Sequence, residues 1–177
     1  MKNALIISAA ALAFSLSSCD DSAGRKVEET VQSPLVDSSK YTAVDLRKYN
    51  IDRTILVESG TPGREEIQQT ATGNIEITAG ERYAVVIVPN PLNLQEKKSE
   101  LEADPLYQIS YVEESPDHIL YSKEITDSGI PAEFHFYILL DDGNETIAVQ
   151  SSEMVQLKKE KAETILESFK IQKKTPA

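Results

Sequence analysis

Two histidines, His118 and His135, are the only imidazoles in the chain, which makes them the natural place to look for acid–base chemistry. A general base needs an orienting carboxylate and a nucleophile within hydrogen-bond reach. His135 lies between Phe134 and Phe136, with Tyr137 two positions on along the same face of an extended segment. Neighbouring strands carrying Tyr107, Tyr111 and Tyr121 would join it in a polar-aromatic patch, so His135, Tyr137 and Tyr121 form the candidate ligand face. Spacing ties no partner to either imidazole, which favours a hydrogen-bonded strand residue on a partly covered sheet face over a catalytic base. A second cluster, Asp141, Asp142, Asn144 and Glu145, brings four oxygen-bearing side chains within five positions. Hard cations take oxygen ligands, but the alternating ligands and distant Glu of an EF-hand loop are missing. The same residues suit a hairpin turn, where Asp, Gly and Asn serve backbone geometry. Gly60-Thr61-Pro62-Gly63-Arg64 lacks the Gly-Lys-Ser/Thr ending that wraps a phosphate, and reads as a surface loop. Gly-x-Ser-x-Gly, His-Glu-x-x-His and paired-Cys motifs are absent from the sequence, so neither a catalytic residue, a metal nor a cofactor is expected.

The remaining reactive side chain is the single cysteine, Cys19. Lys2 gives a positive start, an apolar run follows from Ala4 to Leu16, and Ser17-Ser18 precede the thiol. That is the layout of a secretory signal peptide, and the run is too short to span a bilayer, which takes about 20 apolar residues. Leu16-Ser17-Ser18-Cys19 resembles the lipobox of bacterial lipoproteins. The resemblance implies cleavage of residues 1–18 and acylation of Cys19, for example with palmitate. One acyl chain holds a protein weakly, whereas the several that the family implies give lasting attachment. The expected address is therefore exported and lipid-anchored in the bacterial cell envelope, with the membrane as a partner through Cys19. Asp20-Asp21 behind the anchor fits inner-membrane retention in some lipoprotein systems and export towards the surface in others.

Cleavage would leave 159 of the 177 residues and, with Lys2 gone, take the net charge from −11 to −12. Such a polyanion is repelled by nucleic acid and by anionic head groups. With Cys19 acylated, no thiol remains for a disulfide or a Cys-based metal site, so stability must come from an apolar core. About 130 residues can bury roughly two-thirds of their unfolded surface, which makes such a core feasible.

The elements that must position these residues follow from local pattern. Residues 19–40 are rich in Ser, Asp, Glu and Lys and read as a flexible tether. A single domain is expected over 41–171, with a short tail over 172–177. Thr54–Glu58 is a strand, and Ile75–Thr78 alternates like a half-buried one. Tyr83–Val88 is apolar on both faces and reads as a central strand covered on both sides. Asn93 with Glu96 forms a capping box that opens a helix carrying Leu94, Lys97, Lys98 and Leu101 on one stripe, stopped by Asp104-Pro105. Strands are expected at Tyr107–Glu113, His118–Ile125, Ala132–Leu140 and Glu145–Glu153. Asp-Gly at Asp142-Gly143 signals a hairpin between the last two. Phe134, Phe136, Ile138 and Leu140 point to one face, and His135, Tyr137 and Leu139 to a less completely covered one. A helix from about Lys158 to Lys170 closes the domain with Leu157, Ala162, Ile165, Leu166 and Phe169 as its apolar stripe.

The order βββαββββα describes an α+β fold, a mainly antiparallel sheet with helices packed on it. With its closing Ala162-Glu163-Thr164-Ile165-Leu166-Glu167-Ser168-Phe169-Lys170, that order resembles the PsbP-like α/β/α sandwich, and most of all the envelope lipoproteins of that fold. The resemblance implies an accessory or protein-binding role, as in a photosystem subunit and a Ran-binding factor, and carries over no functional residues. Two functions follow as expectations. The first is a non-enzymatic accessory module that binds another envelope protein through a sheet face or edge. The second is an envelope enzyme or small-ligand binder using the His135 and Tyr137 face. A shallow surface with an apolar patch fits the first, and a pocket with His135 beside a carboxylate fits the second.

Overall fold

A seven-stranded antiparallel sheet organises the computed structural model, which describes residues 40–59, 65–80, 82–141 and 145–173. The strands are β1 (Tyr41–Asp45), β2 (Thr54–Glu58), β3 (Glu65–Gln69), β4 (Ile75–Ala79), β5 (Ala84–Val88), β6 (Tyr107–Glu114), β7 (His118–Ile125), β8 (Glu133–Asp141) and β9 (Thr146–Ser151). Two helices, α1 (Leu94–Glu102) and α2 (Lys159–Lys173), complete the regular elements together with a 3-10 turn at Arg47–Tyr49. The large sheet runs β3-β4-β5-β9-β8-β7-β6, and β1 pairs with β2 in a small sheet of their own. The α+β architecture expected from the sequence is the one observed.

Local chemistry explains most boundaries. The Asn93 Oδ1 accepts the Glu96 N–H and the Glu96 carboxylate accepts the Asn93 N–H, each at 3.0 Å, so both arms of the capping box close at the start of α1. Both lysines on the expected stripe lay their stems inward. Lys97 Nζ stands 5.6 Å from the Tyr137 ring centroid and Lys98 Nζ 4.8 Å from that of Tyr111. The β8–β9 hairpin is in place, with Asp141 opposite Thr146, although its turn residues 142–144 lie outside the described residues. So do Cys19, residues 60–64 and most of the expected tether.

Three differences from the sequence reading have physical causes. Five strands rather than three precede α1, because β1 and β3 were not expected. Glu-Glu-Ile-Gln-Gln in β3 is an edge strand with only a half-buried Ile67, so it shows no apolar alternation. Helix α2 runs on to Lys173, two residues into the expected tail. The Gln172 amide explains the extension, since its Oε1 accepts the Leu56 N–H at 2.7 Å and its Nε2 donates to the Leu56 carbonyl at 2.8 Å. That pair of bonds replaces a strand neighbour on β2. Finally, β5 lies inside the sheet between β4 and β9, but Val86 and Val88 on its second face are only partly buried.

The main core lies on one face of the sheet. Phe136, Ile138, Leu140, Val149, Ile75, Ile77, Val85 and Ile87 pack there against Ala162, Ile165, Leu166 and Phe169 of α2 and against Val44, Ile55 and Val57 of the small sheet. Helix α1 covers part of the other face, where Leu101 meets Ile119, Tyr121, Tyr137 and Ala148. Beyond the reach of α1, the end of that face carrying His135 keeps an opening.

Candidate functional site

Antiparallel register, not sequence proximity, assembles the site. Tyr107 of β6 is paired with Ile125 of β7, Lys123 of β7 with Glu133 of β8, and Tyr121 with His135. Side chains of directly paired residues share a face, so these three strands place Tyr107, Ile125, Lys123, Glu133, Tyr121 and His135 together. A cavity of about 240 Å³ forms at this end, lined by Tyr107, Lys123, Ile125, Ile130, Pro131, Glu133, His135 and Glu153.

His135 is the floor. It is only 2 % exposed, and its ring stacks on Tyr121 with centroids 5.6 Å apart. Its Nδ1 sits 3.0 Å from the Ser151 hydroxyl, which also accepts the Phe136 N–H at 3.3 Å. The hydroxyl can donate to Nδ1 while it accepts that N–H, and on this assignment Nδ1 is the acceptor and Nε2 carries the ring proton. Burial first, and the Lys123 charge second, push the His135 pKa down against the opposing pull of Glu133. The imidazole is thus a neutral donor at its outer nitrogen. Among the described residues that Nε2 is buried without a hydrogen-bond partner. Glu133 Oε2 lies 3.7 Å away, beyond hydrogen-bond length.

The walls add one charged pair and an apolar rim. Lys123 Nζ donates to Glu153 Oε1 at 2.8 Å and lies 4.4 Å from the Tyr107 ring centroid. The Lys123 hydrogen bond holds the Glu153 carboxyl below its usual range. Among the described residues six large apolar side chains are exposed, and Leu106, Ile125, Ile130 and Met154 either line this cavity or adjoin a lining residue in sequence. The site therefore combines features of both expected functions: a carboxylate beside His135 in a small pocket, and the exposed apolar side chains of Ile125 and Ile130 in its lining.

Of the expected ligand face, His135 and Tyr121 stack on each other, but only His135 lines the cavity, and neither Tyr121 nor Tyr137 does. The Tyr137 hydroxyl donates to the Leu92 carbonyl at 2.7 Å under α1, and burial raises its pKa to about 12. Tyr121 is likewise pushed up by burial. Tyr111 turns its hydroxyl to Glu102 at 2.9 Å. Ser151, Glu133, Lys123 and Glu153 were not singled out from the sequence. The hairpin register runs from Asp141 and Thr146 only to Tyr137 and Gln150, so strand pairing gave no signal that would bring Ser151 to His135.

His118 occupies a separate cluster. Its Nδ1 is 2.7 Å from Asp117 and its Nε2 2.9 Å from Glu113. Lys170 and Lys173 of α2 reach the same two carboxylates at 2.7 Å each. An ion-pair lattice thereby ties the last turn of α2 to the β6–β7 connection. A more open concavity of about 480 Å³ adjoins it, lined by Asp117, Leu139, Asp141, Thr146 and Lys173 among others. Among the described residues no group of three His, Cys, Asp or Glu side chains is placed to hold a metal ion, and no helix is long and apolar enough to cross a membrane. Comparison with known protein families, with curated proteins and with solved structures gives no significant match for this chain.

Proposed function

We propose that the chain is a lipid-anchored accessory protein of the bacterial cell envelope, PsbP-like in build, that docks an extended segment of another envelope protein on the free edge of β6. The anchoring half of this reading rests on Leu16-Ser17-Ser18-Cys19, with the only cysteine of the chain at the acylation point. An antiparallel sheet with a helix on each face supports the PsbP-like half.

One observation carries the docking half. Edge strands are normally blunted by charges, prolines or bulges, because their unpaired backbone groups invite another strand. In β6 those devices are confined to one end: the bulge falls between Tyr111 and Glu113, and the charges are Glu113 and Glu114. Tyr107-Gln108-Ile109-Ser110-Tyr111 is regular and uncharged, and it starts beside the exposed Leu106. The opposite edge, β3, begins with Glu65-Glu66. A strand added along Tyr107–Tyr111 gains main-chain hydrogen bonds and lies beside the exposed Leu106, one strand from the exposed Ile125.

A photo-crosslinking residue at Ser110, compared with one at Gln68 on β3, tests this in intact cells. A discrete protein adduct from position 110 alone is expected. Equal labelling at both edges, or none at either, overturns the docking reading. For the anchor, Cys19→Ser is expected to leave an unprocessed or soluble form. Parent and variant sedimenting alike in fully processed form would overturn acylation.

A further inference from the structure

We infer that the His135 cavity is a binding site for a saccharide ring, with one ring hydroxyl held between His135 Nε2 and the Glu133 carboxylate. This goes beyond strand docking and stands or falls separately from it.

A buried N–H without a partner is an unmet donor, and folded proteins rarely leave one unmet. This donor faces a carboxylate at 3.7 Å, too far for the two to bond each other. A group bridging them must accept from Nε2–H and donate to Glu133. A hydroxyl does both, as water does; a carboxylate cannot donate, and an ammonium cannot accept. An anion is further disfavoured because the lining carries Glu133 and Glu153 against Lys123 alone. The Glu133 side chain is 32 % exposed, so a rotation of its carboxylate admits the oxygen to the closed-off nitrogen.

The rest of the lining argues for more than one hydroxyl on a compact frame. Lys123 and Glu153, bonded to each other, offer a second donor and acceptor at the same cavity. Tyr107, Ile125, Ile130 and Pro131 supply apolar surface, which suits the C–H face of a sugar and would waste the hydration of a fully polar solute. A cavity of about 240 Å³ has room for a single ring.

The two histidines make the test direct. In the full chain, labelled with ¹⁵N-histidine and kept in a detergent without sugar head groups, only His118 and His135 give imidazole signals. His118, held between Asp117 and Glu113 away from the cavity, is the internal control. Methyl glycosides of glucose, galactose and N-acetylglucosamine are titrated, with glycerol and cyclohexanol as comparisons. The expected result is a saturable shift of the His135 Nε2–H signal by at least one glycoside at millimolar Kd, with His118 unmoved, weakened about tenfold by Glu133→Gln. An unchanged His118 signal in that variant certifies its fold. The inference is overturned if no glycoside gives a saturable shift, if glycerol or cyclohexanol matches the best glycoside, or if Glu133→Gln binds as well as the parent.

Discussion

Replacing Ser151 with alanine removes one oxygen that two buried groups share. His135 Nδ1 at 3.0 Å and the Phe136 N–H at 3.3 Å both lose their partner. An orphaned buried polar group costs about 1–3 kcal/mol. The longer Phe136 bond belongs at the low end of that range, so the sum is about 2–4 kcal/mol, a large part of a typical stability of roughly 5–15 kcal/mol. With a urea slope near 2 kcal/mol/M, the unfolding midpoint should fall by about 1–2 M. The chain has no tryptophan, so far-ultraviolet circular dichroism is the suitable probe. A double-mutant cycle separates the two bonds. In a His135→Phe background only the Phe136 N–H is orphaned, so Ser151→Ala should then cost about 1 kcal/mol and the cycle should show a coupling of about 1–3 kcal/mol. A midpoint shift below ~0.3 M, or strict additivity, would refute the shared hydrogen bonding.

Three further outcomes are expected. Asn93→Ala opens the capping box of α1 and should destabilise the domain by about 1 kcal/mol in thermal melting, with Asn93→Asp close to neutral. Phe169→Ala empties a fully buried site against Phe136, whose ring centroid is 6.3 Å away, and should cost about 3–5 kcal/mol, with Phe169→Leu costing clearly less. The third concerns acid. Hydrogen bonds from His118 and then Lys170 lower the Glu113 pKa; Asp117 is also lowered, by Lys173 and His118 acting against burial. Carboxyls depressed in the folded state contribute stability above their unfolded pKa values, near 4, and lose it as pH falls through the folded ones. Urea midpoints measured from pH 6 down to pH 3 should therefore decline, and the decline should be shallower in Glu113→Gln/Asp117→Asn. Identical slopes would remove the ion-pair lattice from the account.

What could be read in the chain beforehand depended on whether a signal was local. The capping box, the stripe of α2 and the strands Thr54–Glu58 and His118–Ile125 are set by residues a few positions apart, and the structure reproduces them. The polar edge strand β3 carried no such signal, and β1 buries only Val44. The end of α2 was misplaced because Gln172 is held by Leu56, 116 positions away. The site follows the same rule. The Tyr121 and His135 pairing grew from parallel expectations about two strands, but the cavity needs five separate segments at once, and no spacing rule joins Tyr107 to Glu153. The lysine lattice around His118 was hidden for a similar reason: Lys170 and Lys173 look like an ordinary solvated helix end until β6 and β7 are laid beside them.

The two-stranded sheet at the start of the domain bears on how the molecule resists tension. A pull applied at residue 40 meets β1 first, and among the described residues β1 has a single paired strand, joined through five residue pairs, and one side-chain bond from Thr42 to Glu65 of β3. Every strand from β4 to β7 in the order of the large sheet is gripped from two sides. The Gln172–Leu56 bonds and the Lys161–Glu58 contact fasten β2, not β1, to the closing helix. Load on the leading end should therefore strip one ribbon away while the seven-stranded body, and the cavity within it, stays whole.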